Sequence, residues 1–271
     1  LALKDKQVGI LDIDIHGPNV PKMLGIDDRT FSGSEDNIEP VEVLPNLHVA
    51  SIALSGYDPD MALVWRGPVK IGLIRQFLAQ VDWGHLDYLI VDTPPGTGDE
   101  QLTIAQTIPQ MDGAVLVTTP QEVSLLDSRK SANFVSQVNV PLIGVVENMS
   151  GFICPDCGSR HDIFSTGGGK KAAKSLGVAF LGDVPIEPEV VKGGDMGNPV
   201  VISHSNSVSA AAFTAIAEAV VAELERRSGQ WREPTPQPIA DQPTAEEAAP
   251  EADDHLPEAI RDRNRRARGE S

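Results

Sequence analysis

Four short apolar runs punctuate the first 150 positions of the chain: QVGILD at 7–12, DYLIVD at 87–92, GAVLVT at 113–118 and LIGVVE at 142–147. Runs of this length without strict alternation are how strands buried on both faces of a parallel sheet read. Between them, residues 70–81 and 122–138 carry apolar positions at helical spacing. Residues 208–227 form an alanine-rich segment with Phe213, Ile216, Val220 and Leu224 along one face. Strand and helix in alternation predict an α/β fold with a doubly wound, mostly parallel sheet, in which ligands gather beyond the carboxyl ends of the strands.

The pattern stops near residue 230. From 233 to 258 the chain is rich in Pro, Ala, Asp and Glu and contains no Lys or Arg, and 261–268 is rich in arginine. Such a segment cannot bury enough apolar surface to offset the entropy of ordering it. One α/β domain is therefore expected over 1–230 and a disordered tail over 231–271, with a short helix near 256–268. At 41% hydrophobic the 271 residues can build a full core, and at 4% aromatic that core is aliphatic. A net charge of −17 argues against nonspecific nucleic-acid binding. No apolar run approaches the ~20 residues of a membrane helix. The chain opens Leu1-Ala2-Leu3-Lys4 and runs at once into a strand, which reads as a piece whose start lies upstream.

Acidic residues fall at strand ends. Asp12 and Asp14 follow the first run, in LDIDIHGP, and Asp92 closes the second, in VDTPPGTGD. A carboxylate at the tip of a buried strand beside a Gly/Pro-rich loop is how P-loop NTPases hold Mg²⁺ and sense the nucleotide state. The plainer alternative is that Asp12 and Asp92 cap the turns that follow them. No GxxxxGK[ST] run occurs in the chain. The glycines Gly167-Gly168-Gly169 before Lys170 follow a cysteine loop instead of a strand, and read as a flexible helix entry more than as an anion cradle.

The two cysteines of the chain lie in Cys154-Pro155-Asp156-Cys157. Two thiolates grip a metal centre from one side and leave it incomplete, because a tetrahedral zinc or a cubane cluster takes four ligands. Three readings stay open on chemistry alone: a [4Fe–4S] cluster shared across a two-fold axis, zinc in the same four-thiolate cage, and a redox CxxC pair. His161 is a possible further ligand. A lone CxxC pair suggests a reducing cytoplasm.

The runs VGILDIDIHGPNVPKMLG, WRGP, WGHLDYLIVDTPPGTGDEQLT, GAVLVTTPQEVSLLD, VENMSGFICPDCG and FLGDVPIEP together resemble the Mrp/ApbC family of iron–sulfur cluster carrier ATPases, a branch of the ParA/MinD-like P-loop ATPases. The likeness spans nearly everything before the tail. It implies a strand and a deviant Walker A loop upstream of Leu1. It implies that Asp14 orients the attacking water, that Asp92 is the Walker B carboxylate, and that Asp12 organises the phosphate end. It further implies that Asn148 reads adenine, that Pro185 packs on the base, and that Cys154 and Cys157 ligate the cluster. His16 stands where the family is expected to have tyrosine. The implied cofactors are ATP, Mg²⁺ and a [4Fe–4S] cluster. The implied partners are a second copy in a homodimer, apo iron–sulfur proteins and a cluster-donating scaffold, with neither nucleic acid nor membrane. The competing class is a ParA/MinD-like positioning ATPase with a structural zinc, which usually presents a basic helix or face.

Overall fold

A computed structural model describes residues 1–34, 37–56, 67–154 and 157–228. In chain order they form β1 (Val8–Asp12), α1 (Val20–Met23), β2 (Ser32–Ser34), β3 (Asn37–Glu39), β4 (Val41–Leu44) and β5 (Leu47–Ser51). Next come α2 (Gly67–Gln80), β6 (Tyr88–Asp92), α3 (Asp99–Thr107), β7 (Ala114–Thr118), α4 (Glu122–Gln137) and β8 (Leu142–Glu147). A hairpin of β9 (Phe152–Ile153) and β10 (Arg160–His161) precedes α5 (Gly168–Leu176), β11 (Ala179–Asp183), α6 (Pro188–Asp195), α7 (Val200–Ser203) and α8 (Val208–Ser228). The expected disorder and short helix of the tail lie outside the described residues.

Strand order is β4-β5-β1-β6 in one sheet and β11-β8-β7 in another. β1 is flanked in parallel by β5 and β6, in register from Val8 through Asp12. β8 is flanked in parallel by β7 and β11. Within these two sheets β4 alone runs antiparallel. The continuous apolar run of β1 has a direct cause, since successive side chains leave a strand on opposite faces. Leu11 enters a core with Ile13, Ala50, Ile52, Ile74, Phe77 and Ile104. Ile10 packs on the other face against Ile26, Val41, Val49 and Leu54. In the second sheet Ile143, Val146 and Leu181 pack on Ile216, Val220 and Leu224 of α8. Phe213, expected on that same helical face, is exposed instead.

One expectation changes. β1 and β8 are buried on both faces, but β6 and β7 are not, and Leu89, Ile90, Val115 and Val117 are all exposed. β6 pairs with β1 and β7 with β8; among the described residues nothing pairs with the other edge of either strand. Their apolar pattern matches that of central strands, while their position is that of sheet edges.

Candidate functional site

The strand ends place the acids. Register sets Asp12 opposite Asp92 on neighbouring parallel strands, and the Ile13 amide donates to the Asp92 carbonyl at 3.0 Å. Asp12 is 1% exposed, with Ser51 Oγ donating to one oxygen at 2.9 Å and the Asp14 amide to the other at 3.1 Å. Desolvation is the main force raising the Asp12 carboxyl to about 6; the two hydrogen bonds oppose it and the charges of Asp92 and Asp14 add to it. Asp92 is also raised, first by desolvation among the strand ends and then by Asp14. Three carboxylates thus crowd one corner with negative charge that no basic side chain offsets in these shifts. Asp14 is half-buried and accepts from the Gly17 amide at 3.2 Å, which closes a tight turn after β1.

Asp14 faces an open cleft of about 490 Å³, walled by His16 and Gly17 on one side and by Pro94, Pro95, Gly98, Glu100 and Gln101 on the other. Asp12 and Asp92 are not in its lining. Gln101 holds the 94–98 loop from both ends, accepting from the Gly98 amide at 2.8 Å and donating to the Pro94 carbonyl at 2.5 Å. The first turn of α3 carries Asp99 and Glu100, which suits the positive end of a helix. Lys70 on α2 pairs with Glu100 and lies 3.4 Å from His16 Nε2, so it touches both walls of the cleft. Burial works to raise the Glu100 carboxyl, but the hydrogen bond and charge of Lys70 outweigh it and the net direction is down. Nothing in the sequence pattern singled out Lys70, because its contacts lie 30 and 54 positions away.

A second group of expected residues sits at the ends of β8 and β11. Asn148 leaves β8 with its amide bonded to the Thr118 carbonyl at 2.7 Å, and its side-chain oxygen accepts from the Met149 amide at 2.9 Å. That leaves the Asn148 NH₂ free to donate and the oxygen with a second lone pair. Pro185 is buried and lines a small cavity of about 80 Å³ with Ile153, Ile186 and Val208. Between these residues, Glu147 is 1% exposed, accepts from Ser150 Oγ at 2.7 Å, and accepts from the Gly169 amide at 2.5 Å. The start of α5 therefore already has a carboxylate for its positive end, supplied by the chain itself. Nor is the glycine run a flexible entry. A Cβ on Gly168 would stand 2.5 Å from the Pro120 carbonyl oxygen, and one on Gly169 would stand 2.8 Å from Glu147 Cβ.

Cys154 and Cys157 are free thiols in the connection between β9 and β10, the first half-buried and the second exposed. The Cys154 amide donates to the Ser159 carbonyl at 2.9 Å and the Gly158 amide to the Cys154 carbonyl at 2.8 Å. Hydrogen bonds from the Ser159 side chain, the Ser159 backbone and Cys154 lower the Cys157 thiol below its ordinary range. His161 pairs with Phe152 across the hairpin. Among the described residues no group of three or more His, Cys, Asp or Glu side chains is arranged to hold a metal ion. Nor, among them, is any helix long and apolar enough to cross a membrane.

Parallel strands whose carboxyl ends bear acids beside a PPGTGD loop define a doubly wound α/β nucleotide-binding protein of the P-loop NTPase type. The family described as "ParA: NUBPL iron-transfer P-loop NTPase" matches residues 1–221, and the chain belongs to it. A Methanocaldococcus jannaschii protein named "Iron-sulfur cluster carrier protein" is 52% identical over 202 residues, covering 74% of this chain and 70% of that one. One of the same name from Synechocystis is 50% identical over 229 residues, covering 83% of this chain and 64% of that one. Among solved structures, an Archaeoglobus fulgidus nucleotide-binding protein in complex with ADP, with cobalt found in it, is 36% identical with a TM-score of 0.62, covering 72% of this chain and 76% of that one. The Pyrococcus furiosus cell division ATPase MinD, 20% identical over 81% of this chain and 87% of its own, shares the fold at a TM-score of 0.57.

Proposed function

We propose that this chain is an ATP-dependent carrier that holds a [4Fe–4S] cluster between two copies and hands it to apo-proteins. The observation that carries the reading is the pair of free thiols between β9 and β10, with no third ligand grouped with them among the described residues. Two such hairpins brought together by a two-fold axis supply four thiolates, the number a cubane takes. Relatives named as iron–sulfur cluster carriers support the cargo, and the relative bound to ADP supports the nucleotide. The cluster donor is then a scaffold protein, and a reducing cytoplasm suits the thiols.

The nucleotide reading rests on the acids. Mg²⁺ is usually held by one or two carboxylates together with substrate phosphates. The raised Asp12 and Asp92 carboxyls fit such a partner, since a divalent cation favours the ionised form that desolvation, and to a lesser degree neighbouring charge, disfavours. Bound there with the phosphates, Mg²⁺ would neutralise charge on the reacting group. Asp14, in the cleft, orients water; Asp92 would hold the cation; Asp12, committed to Ser51 and the Asp14 amide, fixes the loop that aims Asp14. Asn148 recognises the base, with Pro185 supporting the neighbouring turn.

Anaerobic reconstitution tests the cargo. Iron should bind at about four atoms per dimer, with thiolate-to-iron charge-transfer absorption that Cys154→Ser or Cys157→Ser abolishes. Tightly bound zinc with no iron uptake would overturn the reading and favour a structural metal. For the nucleotide half, Asp14→Asn should slow hydrolysis with ATP binding retained, while Asp92→Asn should weaken Mg²⁺-dependent binding itself. Both are measured in a polypeptide that also carries a P-loop ahead of Leu1; parental rates in both variants would show these roles to be misassigned.

A further inference from the structure

The cysteine hairpin is too short to hold itself. It has two residue pairs, Ile153 with Arg160 and Phe152 with His161, and a two-stranded ribbon of that size is not stable alone in water. Its strength must come from its root. On one side Phe152 bridges Ile186, and the Ile186 amide donates to the Gly151 carbonyl at 2.7 Å.

On the other side stands Arg160. Its Nη2 donates to the Ser150 carbonyl at 2.7 Å and to Ser150 Oγ at 3.1 Å, and lies 3.5 Å from Asp183 Oδ2. Its Nε lies 3.6 Å from Asp162 Oδ1. The two ion pairs are exposed and contribute little. The bonds to Ser150 differ, because that residue is 2% exposed and a charged donor there strengthens the contact. Ser150 Oγ passes the connection to Glu147, and the other Glu147 oxygen takes the Gly169 amide. Gly151 makes room for the arrangement: its φ is +78°, and a Cβ there would come within 2.9 Å of Arg160 Nε. One guanidinium nitrogen thus links the hairpin through a buried serine to a buried carboxylate, and the residues between the two are Asn148 and Met149.

We propose that Arg160 is a positioning residue that locks the cysteine hairpin to the turn leaving β8, so that Cys154 and Cys157 move with the turn that carries Asn148. The inference rests on the reading above only in taking the thiols as metal ligands; the lock itself is a property of the metal-free chain. A displacement of the Asn148 turn pulls Ser150, Ser150 pulls Arg160, and the hairpin follows. Both bonds to Ser150 come from Nη2, whose place is fixed by the guanidinium plane; a lysine ammonium on a flexible stem lacks that plane, so lysine should restore the contact only in part.

Amide hydrogen exchange on the metal-free chain, followed by Co²⁺ titration, separates the two layers. Arg160→Ala should speed exchange at the Cys154 and Gly158 amides and also at the Ser150 and Gly151 amides by roughly tenfold or more, leaving β1 unchanged. Ser150→Ala keeps the carbonyl that Arg160 bonds and loses only the Oγ links, so it should give the same pattern more weakly, and the double variant should add little beyond Arg160→Ala. Arg160→Lys should fail to restore wild-type exchange. In the titration, Arg160→Ala should weaken Co²⁺ binding by about tenfold, in line with other residues that orient metal ligands. Faster exchange confined to the hairpin, additive variants, or full rescue by lysine would overturn the lock. Failure of the wild-type chain to take up Co²⁺ would count against the metal reading alone, since exchange decides the lock independently.

Discussion

Asp12 carries a cost that its neighbours only partly offset. Its folded value of about 6 lies above the ordinary 3.8, so between those values the folded chain holds a proton that the unfolded chain has released. Stability therefore falls as pH rises through that window, and the penalty is complete above about pH 6. That penalty is about 3 kcal/mol. Asn at this position removes the charge but has one oxygen for two donors, Ser51 Oγ and the Asp14 amide, which returns about 1 kcal/mol. Asp12→Asn should accordingly stabilise the chain by about 2 kcal/mol at pH 7.5. The gain should shrink as pH falls toward 4, as measured by urea unfolding across the range. A variant less stable at pH 7.5, or a difference flat in pH, would show that the burial of Asp12 is compensated in some other way.

Two helices answer one substitution in opposite senses. Gly72 lies in α2 with nothing within 4 Å of where a Cβ would stand, so Gly72→Ala should stabilise by about 1 kcal/mol through helix propensity and lost unfolded-state freedom. Gly169 opens α5 with Glu147 Cβ at 2.8 Å from that point, so Gly169→Ala should destabilise by about 1–3 kcal/mol and disturb the Gly169–Glu147 bond. Thermal melts of both variants check the pair, and equal signs would be wrong. This contrast marks what the sequence could reveal at this scale. Apolar runs placed β1, β6, β7 and β8 to within one residue at each end, because burial on two faces writes itself into local pattern. β5, which supplies the outer neighbour of β1, mixes His48 and Ser51 with its apolar residues and gave no comparable signal. The glycine run read as loose because tightness there comes from Pro120 and Glu147, distant in sequence. The same holds for the candidate site. Asp12, Asp14, Asp92 and the cysteines were legible from strand tips and spacing, while Lys70, Glu147 and Arg160 acquire their partners only through tertiary contacts.

At the scale of the whole chain, the edges of β6 and β7 that stay uncovered among the described residues dominate. Each presents unpaired backbone groups beside exposed apolar side chains, among them Ile90 at 44% and Val117 at 61% exposure. Long or apolar free edges invite pairing with another chain, and natural sheets usually blunt them with charge or cover. The chain of residues 1–271 should therefore self-associate, and Val117→Lys, a charge on the more exposed of these positions, should raise the soluble monomer fraction several-fold in light scattering. Unchanged association would place the contact elsewhere. The division into two sheets reaches further than association. Among the described residues, one sheet is assembled from residues 41–92 with β1, the other from residues 114–183, and no strand of either is threaded through the other. In residues 1–271 each sheet therefore packs an apolar cluster of its own. Loss of structure need not be all-or-none, and a partly melted species with one sheet standing becomes a state the chain can visit. For residues 1–271, whose cysteine hairpin springs from β8, this means the hairpin's foundation can outlast the collapse of the acid-bearing half.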